Sequence, residues 1–447
     1  MYTLPKNSRS LRWSERGFRP LLTVGLVLAG MGLSGLNTAS ASGTLGVAEL
    51  TRETLSRHPS LRVAQAREDV AQSAVDAAQW QFWPTPRVGL ERVENTGGGS
   101  SSGGATVGIL SLQQPIWTGG RLTAGLKRAE SNVLRSTAET QEARVLLAER
   151  VIQSWSEAVV ALRKIEAQKL SLQRHERLLE MVDRRLAEGA SAQADASLAK
   201  SRIEVLQSDI MLLNAQRDAA LDKLRSLTGR SLTAKDLVLM HQKPVVVNQT
   251  LETLVRMAIG VSPQIQKAEY LVEVAKADVD SAKAALMPEV VLRYEHRYSS
   301  DPTESAAAAN RLYLTLNTNL GAGLSGFTGV NTAAAELDAA KQEIDQQKES
   351  LTERVQADFT LVQAAQARLK GLTFAANAAA EVLDSYERQF LAGRKQWLDL
   401  MNAAREQAQS ESQLADALGA LELSSLRLVL WTGGVDALVQ VRAQNTR

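Results

Sequence analysis

The stretch VIQSWSEAVVALRKIEAQKLSLQRHERLLEMVDRRLAEGASAQ, residues 151–193, decides the fold. In it Val151, Ala158, Ile165, Leu172, Leu179 and Leu186 recur every seven residues until Gly189 interrupts them. An apolar row at that spacing keeps facing one partner helix only if the two wind around each other as a left-handed coiled coil. A second series then runs through Ala192, Ala199, Leu206, Leu213, Ala220 and Leu227. Glycine readily takes the left-handed conformation that ends a helix, so the chain is predicted to reverse at Gly189 and run back along itself.

Outward from this hairpin, a shift of 204 residues lays the chain over itself without a net gap. Pro59 falls on Pro263, Pro84 on Pro288, Leu112 on Leu316, Trp155 on Phe359, Gly189 on Gly393, Asp195 on Asp399, and Thr228-Gly229 on Thr432-Gly433. Val355, Val362, Leu369, Ala376, Leu383 and Phe390 repeat the seven-residue row in the second half. The chain reads as a tandem duplication. Residues 116–243 and 303–447 contain no proline, which permits very long helices. Each half is predicted to hold a short helix, about 47–80 in the first, a long one, about 122–188, and a returning one, 191–227. At 1.5 Å per residue the long helix measures roughly 100 Å, about the length of the two shorter ones laid end to end.

Between the short and long helices the period changes from seven to two. Val290, Leu292, Tyr294, His296 and Tyr298 alternate with Val291, Arg293, Glu295 and Arg297. Leu312, Leu314 and Leu316 alternate with Arg311, Tyr313, Thr315 and Asn317. These are strands with one apolar and one polar face. The matching pair in the first half is joined by the Gly/Ser run 97–104 and alternates more weakly, with Val107 and Ile109 on one face and Leu110 and Leu112 on the other. The repeats are placed at 42–230, with strands about 87–95 and 105–116, and at 251–434, with strands about 289–299 and 310–320. A linker, 231–250, and a tail, 435–447, are placed by no pattern except position, near the middle of the long helices.

Four strands are too few for a membrane barrel, which starts at about eight. Either several copies share one barrel, or the hairpins are soluble and covered by helices. In the first case the apolar faces meet lipid, Tyr294 or Tyr298 supplies an interfacial aromatic, and Arg293, Glu295, Arg297 and Arg311 face a wet lumen. Trp80, Phe82 and Trp83 beside Pro84 serve either as an interfacial belt or as simple packing.

The N-terminus sets an expected compartment. Lys6, Arg9, Arg12, Arg16 and Arg19 precede an apolar run, 21–36, and the small residues Ala39-Ser40-Ala41, so residues 1–41 read as a signal peptide, with an uncleaved anchor as the alternative. The absence of cysteine excludes disulfides, thiolate metal sites and an acylated N-terminal Cys. A net charge of +2 without a long basic block in the rest of the chain argues against nucleic acid. Only 4% of residues are aromatic, which suits long helices packed through small side chains rather than a large globular core.

Catalytic and cofactor chemistry is not indicated. His58, His175, His241 and His296 are scattered without a second ligand at metal spacing; His58 before Pro59 reads as a helix start and His175 as a solvated helix residue. The glycine run lacks the Gly-Lys-Ser/Thr ending of a phosphate loop. Glu68-Asp69 beside Arg67 reads as a solvated face.

The segment Gln114-Pro115-Ile116-Trp117-Thr118-Gly119-Gly120-Arg121 resembles the strand-to-helix junction of the TolC family of outer-membrane proteins, and the order of elements in both halves resembles that family's order. The second half departs from it with Asn319-Leu320-Gly321-Ala322-Gly323, which leaves the junction geometry there open. The resemblance implies a mostly α fold with a small membrane β part. Three copies would form a homotrimer with a shared twelve-stranded barrel in outer-membrane lipid and a periplasmic α-barrel tunnel. No enzymatic activity and no cofactor are implied.

The implied partners are a periplasmic membrane-fusion adaptor, an inner-membrane transporter (an ABC transporter before a proton-driven one) and an exported cargo. Within the family the chain resembles the LapE-like branch serving adhesin secretion, which points to type I secretion of a large protein. Small-molecule or metal efflux is the alternative, and a soluble periplasmic coiled-coil scaffold is the alternative of another class. By the same resemblance the hairpin tips Gly189, Ala190, Ser191, Gly393, Arg394 and Lys395 dock the adaptor. Arg184, Arg185, Asp195, Arg388 and Asp399 are gate candidates there, with ordinary solvated coiled-coil charges as the other reading.

Overall fold

The computed structural model describes residues 45–93, 105–237, 249–299 and 310–440. The expected signal peptide, the Gly/Ser run, His241, the middle of the linker at 238–248 and the end of the tail at 441–447 lie outside them. In chain order the elements are α1 (Val47–Arg57), α2 (Pro59–Trp80), β1 (Thr85–Val93), β2 (Ala105–Trp117), α3 (Arg121–Ala187), α4 (Gln193–Thr228), α5 (Leu251–Val261), α6 (Pro263–Ala284), β3 (Glu289–Ser299), β4 (Asn310–Asn317), α7 (Ser325–Leu391) and α8 (Trp397–Gln440). The starts of α1, α2, β1, α3 and α4, moved by the 204-residue repeat, land on the starts of α5, α6, β3, α7 and α8. Strand register repeats as well: Thr85 pairs with Gln113, and Glu289 with Asn317.

The short helix expected over 47–80 is two helices. Pro59 has no N–H and drives the preceding residue into extended backbone, so His58 sits at φ −65°, ψ 131° and its Nδ1 accepts from the Ser60 N–H at 3.2 Å. Ser262 before Pro263 does the same in the second half, its Oγ accepting from the Ile265 N–H at 3.4 Å.

α3 and α7 are each 67 residues, so roughly 100 Å at the usual rise. α3 packs on α2, α4, α6 and α8, while α7 packs on α5, α6 and α8. The largest apolar cluster lies where these elements converge with α1, and joins Trp155, Leu221, Leu224, Leu254, Val355, Leu426 and Leu430. The linker and tail residues Leu232, Leu237, Val435 and Leu438 enter the same cluster, α8 breaking at Gly434 (φ 70°, ψ −171°) to bring the last two in. Leu237 also bridges to Leu45. α3 and α8 approach so closely that a methyl group at Gly419 would overlap Val160. Just beyond that contact, Arg163 donates twice to the Glu422 carboxylate, at 3.0 and 2.7 Å.

Val151, Ala158 and Ile165 of the seven-residue row are buried, but Leu172 and Leu179 are only half-buried. There Ser171 and Leu178, each one residue earlier, are buried instead. His175 and Val182 belong to the companion row of the same seven-residue pattern, with Ser154 and Ala161, and all four are buried. His175 is therefore not solvated as read from sequence: it is 3% exposed, and its Nδ1–H donates to the Ser171 carbonyl at 2.9 Å. Glu68 likewise turns from the expected solvated face toward α3, accepting from the hydroxyls of Thr137 (2.7 Å) and Thr140 (3.3 Å).

Burial holds the His175 pKa below its ordinary value of 6.5, with Arg202 adding to the effect against the Ser171 bond. Because the folded value is the lower one, the stability contributed by neutral His175 is complete above the unfolded value and is lost as pH falls below it. The melting temperature in detergent is expected to fall between pH 7.5 and 5 by more in the native chain than in His175→Leu; equal falls would contradict this assignment.

Candidate membrane sheet and tunnel tips

The four strands form one antiparallel sheet in the order β1-β2-β3-β4. Leu112 stands opposite Tyr294 and Pro86, Leu110 opposite His296 and Val88, and Leu292 opposite Leu314. Side chains of directly paired residues share a face. One face therefore carries Val88, Leu90, Leu110, Leu112, Tyr294, Tyr298, Leu312, Leu314 and Leu316, and all of these are exposed, Val88 at 83% and Leu90 at 80%. No described element covers this face. Among the described residues the outer edges of β1 and β4 also lack a strand partner.

The opposite face is polar. Arg293 lies over the Tyr313 ring at 4.8 Å, Arg297 Nε donates to Glu295 Oε1 at 2.7 Å, and Arg311 stands opposite Glu295 in the β3–β4 register. These four expected lumen residues share one surface with Arg87 and Glu91. Trp80 and Trp83, with ring centroids 6.5 Å apart, are exposed where α2 gives way to β1.

The junctions to the long helices need unusual backbone. Gly119 (φ 61°) and Gly120 (φ 95°) precede α3; a side chain at Gly119 would overlap Met287, and Arg121 pairs with Glu289 at 2.8 Å. In the second half the repeat places Gly323 at φ 61° and Leu324 at φ 65° before α7. The departing sequence thus keeps the junction geometry, with a leucine in a left-handed conformation that costs about 1–2 kcal/mol.

At the far end both turns close identically. Ala190 N–H bonds to the Arg185 carbonyl and Arg394 N–H to the Gln389 carbonyl, around Gly189 (φ 72°) and Gly393 (φ 70°). This is the 6→1 closure of a glycine-terminated helix, and it leaves Ala190 and Arg394 exposed and Ser191 half-exposed. The two hairpins pack together there through Leu178, Val182, Ala196, Leu383, Phe390, Trp397 and Leu400.

Of the gate candidates, Arg185 reaches across with its side chain: its Nη1 donates to the Phe390 carbonyl at 3.0 Å, and its guanidinium lies 4.6 Å from the Phe390 ring centre. The Asp195 carboxylate accepts from the Ala192 N–H at 3.2 Å, at the start of its own helix. Asp399 pairs with Lys395 at 3.3 Å, which raises the lysine pKa; that lysine also lies over Tyr386. Arg184 and Arg388 are exposed, and among the described residues no ion pair joins them to either aspartate.

A second link between the hairpins, Trp397 Nε1–H to the Asp195 carbonyl at 3.1 Å, was not anticipated from sequence. Its only signal is that Phe390 and Trp397, flanking Gly393, replace Leu186 and Gln193 of the first half.

Leu324→Gly is expected to raise stability by roughly 0.5–1 kcal/mol, the left-handed penalty removed less the chain entropy added to the unfolded state. Leu324 is 57% exposed, so little burial is lost. Denaturant unfolding in detergent reads the change, and a decrease would contradict the strain.

The family model described as outer membrane efflux protein matches residues 50–230 and 254–434. The alkaline protease secretion protein AprF of Pseudomonas aeruginosa is 22% identical over 342 residues, 74% of this chain and 70% of that protein. The proteases secretion protein PrtF of Dickeya chrysanthemi is 23% identical over 69% of each chain, and the outer membrane protein TolC of Vibrio cholerae is 22% identical over 88% of this chain and 93% of its own. Among solved structures, the outer-membrane channel OprN superposes with a TM-score of 0.75 at 20% identity, covering 88% of this chain and 90% of that one. The chain therefore belongs to the outer membrane efflux protein family, of which TolC is a member, and is a non-enzymatic channel component of the cell outer membrane whose helical tunnel extends into the periplasm.

Proposed function

We propose that three copies assemble into one channel-tunnel that exports a large protein in a single step, together with a periplasmic adaptor and an inner-membrane ABC transporter. The observation that carries the channel is the sheet: an exposed apolar face, a charged opposite face and two open edges. In lipid, unpaired edge N–H and C=O groups cost several kcal/mol each, so such a sheet is stable there only as part of a closed barrel. Three copies supply twelve strands, within the range of known barrels. Arg293, Glu295, Arg297 and Arg311 then line its lumen. α3 and α7, with the shorter helices beside them, form the wall of the tunnel.

Protein secretion rather than efflux is supported by the two relatives whose names describe secretion of proteases. The word efflux in the family's description favours the second reading, export of small molecules or metal ions. In either case the hairpin tips face the adaptor. Gly189, Ala190, Ser191, Gly393, Arg394 and Lys395 offer the docking surface, and Arg184, Arg185, Asp195, Arg388 and Asp399 act at the constriction. Arg185 is the best supported of these, since its side chain ties one hairpin to the other.

Deleting the gene separates the two cargoes. Loss of one large secreted or surface protein, with unchanged tolerance to drugs and metals, is the expected result. Unchanged secretion with a fall in tolerance would overturn protein export and leave efflux.

A further inference from the structure

We propose that the polar face of the sheet makes the barrel lumen a filter for acidic polypeptide, drawing in carboxylate-rich chain and turning cationic chain away. The inference rests on the shared-barrel reading above and names the chemistry of its cargo. Among the described strand residues that face carries Arg87, Arg293, Arg297 and Arg311 against Glu91, Glu289 and Glu295. Two of the carboxylates are already engaged. Glu289 pairs with Arg121 at the start of α3, and Glu295, 7% exposed, accepts from Arg297 at 2.7 Å. Among the described residues Arg87, Arg293 and Arg311 form no ion pair, and Glu91 is the one unengaged carboxylate on their face.

The strand register sets these groups in rows. One row crosses the sheet through Arg87, Ser111, Glu295 and Arg311, and the next toward the helices runs through Thr85, Gln113, Arg293 and Tyr313. Arg297 lies one row further out, opposite Ile109. Rows on one face are two residues apart, so three of them span about 14 Å, the length of about four residues of extended chain. Arg293 lies over the Tyr313 ring at 4.8 Å, and its Nε–H, shut away from solvent, has no acceptor. A ring and not a counter-charge holds that guanidinium, which is left for a carboxylate that the cargo brings.

The field reaches the whole lumen. Twelve strands about 4.8 Å apart and tilted about 40° enclose a barrel about 24 Å across between backbones. Side chains narrow that width, so the axis lies within about one Debye length, ~8 Å at physiological salt, of the guanidinium groups. Arginine keeps its charge at every relevant pH, and low-dielectric walls focus the field of a charged lining along the pore. Rings of arginine select anions in other pores for this reason.

Polymer block in planar bilayers reads the filter. Poly-L-glutamate and poly-L-lysine of matched length are added to each chamber in turn, with the detergent-extracted oligomer in about 0.1 M KCl, where screening leaves the field intact across the lumen. From the barrel side, poly-glutamate is expected to block at roughly a tenth of the poly-lysine concentration. Monomeric glutamate at the same residue concentration is expected not to block. Arg293→Gln with Arg311→Gln is expected to shrink the difference between the polymers by at least half, and Arg293→Lys with Arg311→Lys to keep it.

Equal block by the two polymers, or stronger block by poly-lysine, in a channel that conducts would overturn the filter alone. A difference that survives in a glutamine variant that still migrates as an oligomer would overturn the assignment to these arginines. Block by monomeric glutamate as strong as that by the polymer would overturn the polypeptide class. If the glutamine variant does not assemble, loss of the difference in the lysine variant overturns the assignment instead. An oligomer that never conducts would overturn the shared barrel and the filter with it.

Discussion

An unpaired peptide group in hydrocarbon has nothing to bond with, and this cost governs the whole molecule. Among the described residues the four strands satisfy one another internally but leave the outer edges of β1 and β4 open, beside a face of leucines and valines that no described element covers. A soluble protein would blunt or cover such edges with charge, proline or a helix. Pro86 lies on β1, but β4 has no such device along the face of Leu312, Leu314 and Leu316. In the proposed assembly, copies of the sheet complete one another, and the helices hold them in position.

They do so by length and by repetition. A 67-residue helix cannot bury its apolar row against one short partner, so each long helix is flanked by short ones that meet near its middle. The core placed there, around Trp155 and Leu254, locks α1, α5, the linker and the tail together. At the tips the packing thins to a smaller cluster, tied across by Arg185 to Phe390 and by Trp397 to the Asp195 carbonyl. A guanidinium over a ring contributes from about 0.5 kcal/mol at exposed sites to about 2 kcal/mol when desolvated, and the Phe390 ring is buried. Links of that size can be exchanged for contacts with a partner, as the proposed docking at the tips requires.

Most of the architecture was legible because duplication and periodicity are properties of spacing alone. Pro59 and Pro263, Gly189 and Gly393, and the change from a seven-residue to a two-residue period mark the elements without any knowledge of contacts. What the apolar spacing did not show was the second, more polar row and strain. His175 is buried because it lies on the companion row of the heptad, with Ser154, Ala161 and Val182, and that row carries too few apolar residues to stand out in the sequence. Leu324 takes a glycine's place in a left-handed junction because the neighbouring backbone, not its own preference, sets its conformation. The tip was legible as a turn but not as a contact: Phe390 fitted a heptad row, and Trp397 fitted nothing until the two hairpins were seen side by side.

The central claim is that this chain conducts across the outer membrane through a barrel that several copies share. Planar-bilayer recording of protein extracted from outer membranes tests it most directly. The account predicts stepwise, long-lived conductance increments from the detergent-extracted oligomer. Protein that washes from membranes without detergent, or an extracted oligomer that never conducts, would contradict it.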